Sequence, residues 1–162
     1  MLRRRRLAEK PVYLTQEGQA ELEKELEYLR TARRREIADK ISQAKELGTT
    51  VNNAEYDDAK REQSFAEGRI RELESLLANA QVVKHEAIPS EWVKLGSKVT
   101  IVTPDGEEDC YTIVGSAEAH PLAGKISNES PVGRALLGKR VGQEVQVVTP
   151  GGVVTYVIRT IE

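Results

Sequence analysis

Two long stretches of helical periodicity, separated by one break, constrain the fold of this 162-residue chain more than any other feature. Across residues 17–47 apolar side chains recur three or four positions apart, with a slip of about one residue near Arg33. The second stretch alternates steps of four and three through Ala59, Gln63, Ala66, Ile70, Leu73, Leu77 and Ala80. Only about six residues, 48–53, separate the two patterns. The helices are therefore predicted to be antiparallel neighbours, and the first is about 45 Å long at the usual rise per residue.

The rest of the chain changes to the period of β-strands. Strands are predicted at residues 98–102, 109–114, 125–127, 145–148 and 153–161, and Ser130 with Pro131 starts a short helix that Gly138 ends. The predicted fold class is α+β, with an N-terminal antiparallel α-helical coiled-coil hairpin and a small, mostly antiparallel β domain that carries one short helix. We place a basic segment at 1–12, the hairpin at 13–83 with its tip at 48–58, a linker at 84–92 and the β domain at 93–162.

Composition argues against several classes of protein. The single cysteine, Cys110, cannot form an internal disulfide and is expected to be a small buried side chain. No apolar run approaches the ~20 residues that cross a bilayer, and no apolar stretch follows MLRRRR to make it a secretory signal. Acidic and basic residues nearly balance in both halves, which argues against a broad nucleic-acid-binding surface. His85 and His120 lack partners at metal-ligand spacing. We predict a soluble protein without a catalytic constellation of its own.

The predicted tip carries most of the chemistry. Carboxylates and amides cluster there, at Asn52, Asn53, Glu55, Asp57 and Asp58, and the cations Lys45, Lys60 and Arg61 flank them. The carboxylates could help to hold a divalent cation, and the flanking cations could hold a phosphodiester. Alternatively, one asparagine caps the second helix and the three acids complement its dipole. The residues by themselves leave both interpretations open.

Several motifs, in this order, resemble one known family. Asn53-Ala54-Glu55-Tyr56 stands at the tip, and it is followed by AKREQ at 59–63, EGRI at 67–70, NAQV at 79–82, IS at 126–127, SP at 130–131, GK at 138–139 and TPGG at 149–152. Together they resemble the Gre transcript-cleavage factors of bacterial RNA polymerase, and the GreA branch in particular. The resemblance covers nearly the whole chain after the first ten residues.

The resemblance implies an N-terminal coiled coil and a C-terminal domain with an FKBP-like fold. It also implies a bacterial, cytoplasmic transcription elongation factor without a cofactor of its own. In this family the coiled coil enters the secondary channel of RNA polymerase and brings its tip beside the catalytic centre. The polymerase then hydrolyses backtracked nascent RNA near its 3′ end, and tip residues help to hold a Mg²⁺ ion shared with the polymerase. Because the helical seam is satisfied within one chain, a monomer is predicted.

The resemblance also assigns roles to residues. The tip near the polymerase active site comprises Thr49, Asn52, Asn53, Glu55, Tyr56, Asp57 and Asp58, of which Asn52 and Glu55 would contact the shared Mg²⁺. Lys45, Lys60 and Arg61 would contact RNA, or else are ordinary solvated charges. The loop of Ser127, Asn128, Glu129, Ser130 and Pro131 would bind the polymerase's coiled coil at the channel rim. Ser130 and Pro131 also make an ordinary helix start.

The tip departs from the family at two positions. Members usually carry Asp directly after the tip glycine and Glu or Asp directly before Asn-Ala-Glu-Tyr, where this chain has Thr49 and Asn52. A hydroxyl or amide oxygen is a weaker magnesium ligand than a carboxylate. Two functions therefore stay open: a factor that promotes cleavage, and a channel-binding inhibitor or cleavage-weak variant of the same shape. Prolyl isomerase activity is disfavoured, because the second domain has few aromatic side chains to line a pocket.

Overall fold

The computed structural model describes residues 11–46, 54–84 and 90–162. It is a mixed α+β structure with two compact units, one formed by Gln19–Asn79 and the other by Met1–Gly18 together with Ala80–Glu162. Several predicted features lie outside the described residues: Thr49, Asn52 and Asn53 of the tip, His85 of the linker, and the arginines of the basic N-terminal segment.

The first helical run is continuous but not uniform. Helix α1 spans Gln16–Tyr28, a π-helical turn spans Leu29–Arg33, and α2 spans Arg34–Glu46. A π turn contains more residues than an α turn, so it shifts the apolar stripe around the helix. This is the physical origin of the slip in the sequence pattern. Helix α3 spans Ala54–Ala78 and packs against α2 and the π turn.

The predicted seam is buried along most of its length. Its buried members are Leu22, Leu26, Ile37 and Ala44 on the first run and Ala59, Ala66, Ile70 and Leu73 on α3. Gln63 and Leu77 are half-buried, and the helical pattern was wrong at Ala80, which is the first residue of a strand. The small side chains lie toward the predicted tip and the large ones toward the base, so more apolar area is buried at the base.

Ion pairs across the seam show that the two runs are antiparallel. Residue numbers rise on one run as they fall on the other in the pairs Arg30–Glu74, Arg34–Glu67 and Lys40–Glu62. These side chains are about one-third to one-half exposed, so each pair contributes little to stability. They favour this register of the hairpin over shifted ones.

The second unit contains two sheets. Strands β1 (Val12–Thr15) and β2 (Ala80–Val83) form a parallel pair. The five-stranded, curled sheet consists of β3 (Lys98–Val102), β4 (Glu108–Val114), β5 (Lys125–Ser127), β6 (Glu144–Thr149) and β7 (Gly152–Ile161). Its order is β5-β4-β3-β7-β6, and only β4 and β5 run parallel. The five predicted strands and the mostly antiparallel sheet are confirmed.

The pair β1–β2 was not predicted. Each strand has only four residues, and Val12 pairs with Ala80, so most of the helical hairpin lies between the two strands in the sequence. No local turn or side-chain alternation therefore predicts the pair. Gly115 lies against β1, where a Cβ would overlap the carbonyl oxygen of Tyr13. The helical unit is therefore shorter at both ends than the predicted range of 13–83, and the two short strands belong with the β-rich unit.

The core of the β-rich unit lies between the sheet and α4 (Pro131–Leu136). Its buried members are Val93, Val99, Ile101, Ile113, Leu136, Val145, Val147, Ile158 and Ile161. The predicted boundaries of α4 are confirmed. Ser130 Oγ accepts the Gly133 N–H at 3.0 Å, and Gly138 adopts φ 74° just after the helix, a conformation that glycine adopts without strain.

The prediction that Cys110 is buried is wrong, because the side chain is exposed. Tyr111 and Ile113 on β4 face the core. Since side chains alternate along a strand, Cys110 lies on the opposite, solvent-facing side of the sheet. Hydrophobicity could not distinguish the two faces here. Among the described helices, none is long and apolar enough to span a membrane.

Candidate functional site

The described part of the predicted tip is the first turn of α3. Glu55, Asp57 and Asp58 are exposed there, and Tyr56 is half-buried. Acidic side chains in a first helical turn interact favourably with the partial positive charge of the helix start. That local role, which the sequence allowed, is compatible with the structure and leaves the carboxylates accessible to solvent.

Two of these carboxylates share a cleft between the helical runs. The cleft has a volume of about 290 Å³ and is lined by Lys40, Gln43, Ala44, Glu55, Asp58, Ala59 and Glu62. Positions three apart on a helix lie on one face, which explains why Glu55 and Asp58 come together. Asp57 is not part of this lining. The structure thus separates one predicted tip acid from the other two.

Two cations bind Glu62, a third carboxylate of this cleft. Lys40 Nζ donates to both carboxylate oxygens of Glu62, at 3.0 and 2.8 Å, and Arg33 Nη2 donates to Glu62 Oε2 at 3.0 Å. The hydrogen bond from Lys40 is the main reason why the pKa of Glu62 lies below its ordinary value. Glu62 is therefore ionised and already bound by two cations, whereas Glu55 lies in the first turn of α3.

The predicted basic patch is exposed and is bound mainly to its own helix. Lys60 Nζ donates to Gln63 Oε1 at 2.6 Å, and Arg61 Nη1 donates to Asp58 Oδ1 at 3.3 Å. Lys45 lies in the last turn of α2. Contacts between such exposed groups are weak, so an incoming phosphate could displace them at low cost.

The described residues do not form a magnesium site by themselves. Among them, no group of three His, Cys, Asp or Glu side chains lies close enough to hold a metal ion. Mg²⁺ requires an octahedron of oxygen ligands, of which Glu55 and Asp58 could supply only a part. A metal at this end of the hairpin would need ligands from elsewhere.

The predicted polymerase-binding loop is tightly organised by its own hydrogen bonds. Ser130 Oγ donates to the carbonyl of Ser127 at 2.7 Å, and the N–H of Glu129 donates to Ser127 Oγ at 3.0 Å. Asn128 N–H donates to the carbonyl of Val114 on β4 at 2.8 Å. Pro131 begins α4 and is exposed. The loop presents a preorganised surface.

Ser116 belongs to this loop cluster and was missed at the sequence level. Its hydroxyl lies 2.9 Å from Ser127 Oγ and donates to Glu129 Oε2, also at 2.9 Å. It stands eleven residues before Ser127, in a short 3-10 turn without any motif. Only the parallel pairing of β4 with β5 brings the two segments together.

Comparison with known proteins assigns both halves of the chain to one family. The family model "Transcription elongation factor, N-terminal" matches residues 12–82, and "Transcription elongation factor, GreA/GreB, C-term" matches residues 88–162. The chain belongs to the GreA/GreB family. The N-terminal match includes β1 and the first three residues of β2, although the structure packs these strands with the β-rich unit.

Relatives extend over nearly the whole chain. The transcription elongation factor GreA of Chloroflexus aggregans is 52% identical over 153 residues, which cover 94% of this chain and 98% of that protein. The GreA of Bacillus licheniformis is 51% identical over 145 residues, covering 89% and 92%. The crystal structure of GreA factor homolog 1 of Thermus thermophilus is 33% identical, with 94% and 99% covered and a TM-score of 0.43. The predicted family is confirmed.

Proposed function

We propose that this GreA/GreB-family chain binds bacterial RNA polymerase, inserts its helical hairpin into the secondary channel and promotes cleavage of backtracked nascent RNA by the polymerase. The observation that carries the proposal is family membership across both halves of the chain. Factors of this family act in transcription elongation, and stimulation of transcript cleavage is the family's function. The acidic start of α3 is the part of the hairpin that suits such a role.

The two parts of the chain have separate tasks in this proposal. The hairpin, an antiparallel coiled coil, is the element that reaches into the channel, and the 31 residues from α1 to α2 span about 45 Å at the helical rise. The β-rich unit, FKBP-like in this interpretation, binds the coiled coil at the channel rim through Ser127–Pro131. Hydrogen bonds within this loop fix its conformation and therefore reduce the conformational entropy lost on binding.

The hydrolysis belongs to the polymerase. The chain acts as a monomeric accessory factor, and any Mg²⁺ at the tip is shared with the polymerase, with Asn52 and Glu55 as the oxygen donors from this chain. Lys45, Lys60 and Arg61 lie beside the tip and would contact phosphates of the RNA 3′ segment. Their weak partners, Gln63 and Asp58, leave them available for that contact.

A second candidate function rests on Thr49 and Asn52. Both are neutral where relatives of the Gre type usually have acids, so this tip supplies fewer anionic ligands to a divalent cation. In the second candidate the chain occupies the channel and inhibits nucleotide entry or competes with active factors. Both candidates require polymerase binding, and they differ only in cleavage.

RNA shortening in stalled polymerase complexes at graded Mg²⁺ separates the two. We expect shortening that depends on this chain. Binding to the polymerase without shortening would contradict promotion of cleavage and favour the inhibitor. Absence of binding would contradict both.

Substitution of the neutral tip residues tests the metal argument. The double variant Thr49→Asp, Asn52→Glu should cleave faster than the parent chain, most clearly at low Mg²⁺, because it adds two anionic ligands. The matched control Thr50→Asp, Val51→Glu adds the same charge at neighbouring positions and should not reproduce the gain. An equal gain in the control would show that charge alone, rather than ligand position, is responsible.

A further inference from the structure

Trp92 and Arg140 form an exposed stacked pair on the β-rich unit. The guanidinium carbon of Arg140 lies 3.5 Å from the centre of the Trp92 ring, and a bridge of backbone pairing joins the same two residues. Trp92 is the only tryptophan of the chain, and 43% of its surface is exposed. Packing of the core does not require a large aromatic side chain to be exposed to solvent beside a cation.

The backbone around the pair is well fixed. Val93 is buried, and it exchanges two hydrogen bonds of 2.8 Å with the facing segment, from its N–H to the carbonyl of Lys139 and from the N–H of Gly138 to its own carbonyl. Because neighbouring side chains in extended segments point to opposite sides, Trp92 and Lys94 point away from the core. The pair is therefore presented on a rigid base.

Most charged side chains around Trp92 and Arg140 are cations, and among the described residues these cations are not paired with carboxylates. Lys94, Lys139 and Arg140 are exposed, and Glu91 is the adjacent acid. Within the described part of the chain, the side chains of these three cations have no carboxylate or hydrogen-bond acceptor. This differs from Arg33, Arg34 and Arg69, which all bind carboxylates. The planar guanidinium of Arg140 thus keeps its N–H donors available while the indole fixes its orientation.

We propose that Trp92, Arg140, Lys94 and Lys139 form a binding site for single-stranded nucleic acid. A base stacks on the exposed Trp–Arg pair, and the cations contact the adjoining phosphates. Bases stack on aromatic rings and on arginine planes in such sites, and cations beside them follow the sugar–phosphate backbone. The site lies in the β-rich unit, and it is distinct from the basic residues near the hairpin tip. The proposal does not depend on polymerase binding.

Titration of the full-length chain with short oligonucleotides tests the proposal without polymerase. Oligouridylate and oligothymidylate of about eight nucleotides provide RNA and DNA arms, and fluorescence of the single tryptophan reports stacking directly. We expect saturable quenching that weakens with salt, by about 0.7 logarithmic units of affinity per phosphate contact in each tenfold increase of salt. Quenching by only one of the two identifies the preferred strand. No quenching by either would overturn the proposal.

Variants separate stacking from charge. Arg140→Ala and Trp92→Ala, measured by anisotropy of a labelled oligonucleotide, should each weaken binding about fivefold or more. Arg134→Ala is the matched control, because it removes an exposed arginine of α4 that has no ring contact. An equal loss in the control would overturn the proposal. Arg140→Lys keeps the charge without the plane, so wild-type affinity in that variant would overturn the stacking contact. Thermal unfolding of each variant confirms that it is folded.

Discussion

The carboxylate of Glu118 binds the start of helix α1. When this carboxylate is removed by mutation, we expect Gly18→Ala to become stabilising instead of destabilising. Thr15 donates twice to Glu118, from its N–H at 2.6 Å and from its hydroxyl at 2.9 Å. The same hydroxyl accepts the N–H of Gly18 at 3.0 Å and thereby caps the N-terminus of the helix. Gly18 is buried so closely against Glu118 that a Cβ at this position would overlap the carboxyl group.

The expected energies follow from these contacts. Glu118→Ala removes two hydrogen bonds to a charged group, and since Thr15 is only half-buried we expect a loss of about 1–3 kcal/mol in the free energy of unfolding. Gly18→Ala displaces the carboxylate and loses much of the same energy, while it gains up to ~1 kcal/mol of helix propensity. In a chain that already carries Glu118→Ala, the Gly18→Ala substitution has no carboxylate to displace, so only the gain in helix propensity remains. The two positions should therefore be coupled by about 1–2 kcal/mol.

Urea unfolding of the two single variants and the double variant measures this coupling. Trp92 fluorescence is a suitable probe, because Trp92, Gly18 and Glu118 belong to the same compact unit. Gly68→Ala is the control, since a Cβ on this helical glycine would meet no atom within 4 Å. By circular dichroism it should be additive with Glu118→Ala. If Gly18→Ala is also additive, within about 0.5 kcal/mol, the close packing of the two residues is refuted.

Two further predictions concern stability. Arg69 binds Glu25 through two hydrogen bonds, of 2.8 and 2.9 Å, and thereby lowers the pKa of Glu25. The pair therefore stabilises the folded state above the ordinary glutamate pKa of about 4.3 and stops doing so as pH falls through the lowered value. Glu25→Gln should cost less than ~1 kcal/mol at neutral pH because the pair is partly exposed, and circular dichroism melts should show this difference vanish in acid; a pH-independent difference would contradict it. Gly133→Ala should cost about 1–3 kcal/mol in urea unfolding, because a Cβ there overlaps the carbonyl oxygen of Ser127, and a neutral effect would contradict that contact.

Local patterns predicted most of the secondary structure. Strands β3 and β5 have the predicted boundaries, and the others differ by one residue at one or both ends. Ser130 and Gly138 mark the ends of α4 as expected, because a side-chain cap and a left-handed glycine act on the few residues beside them. The slip near Arg33 lies at the π-helical turn of Leu29–Arg33, although periodicity alone could not specify the π form.

The sequence predicted which residues belong to the candidate sites, but it did not predict how these residues are arranged in space. The sequence singled out Glu55, Asp57 and Asp58 together, but helix geometry brings only Glu55 and Asp58 into one cleft. The sequence offered no signal for Ser116, which strand pairing brings to the loop near Ser127. The roles assigned to Thr49 and Asn52 remain predictions, since these residues lie outside the described structure.

The family, the helical hairpin and the strand pattern of the second unit could all be predicted from the sequence, because motifs, helix caps and side-chain periodicity act over a few residues. Contacts between groups far apart in the chain became apparent only in the folded structure. It paired β1 with β2, set Glu118 against the start of α1, exposed Cys110 and stacked Arg140 on Trp92. These contacts depend on the path of the backbone between residues far apart in the chain. Local propensity contains no information about that path, because it is selected by burial of the whole core.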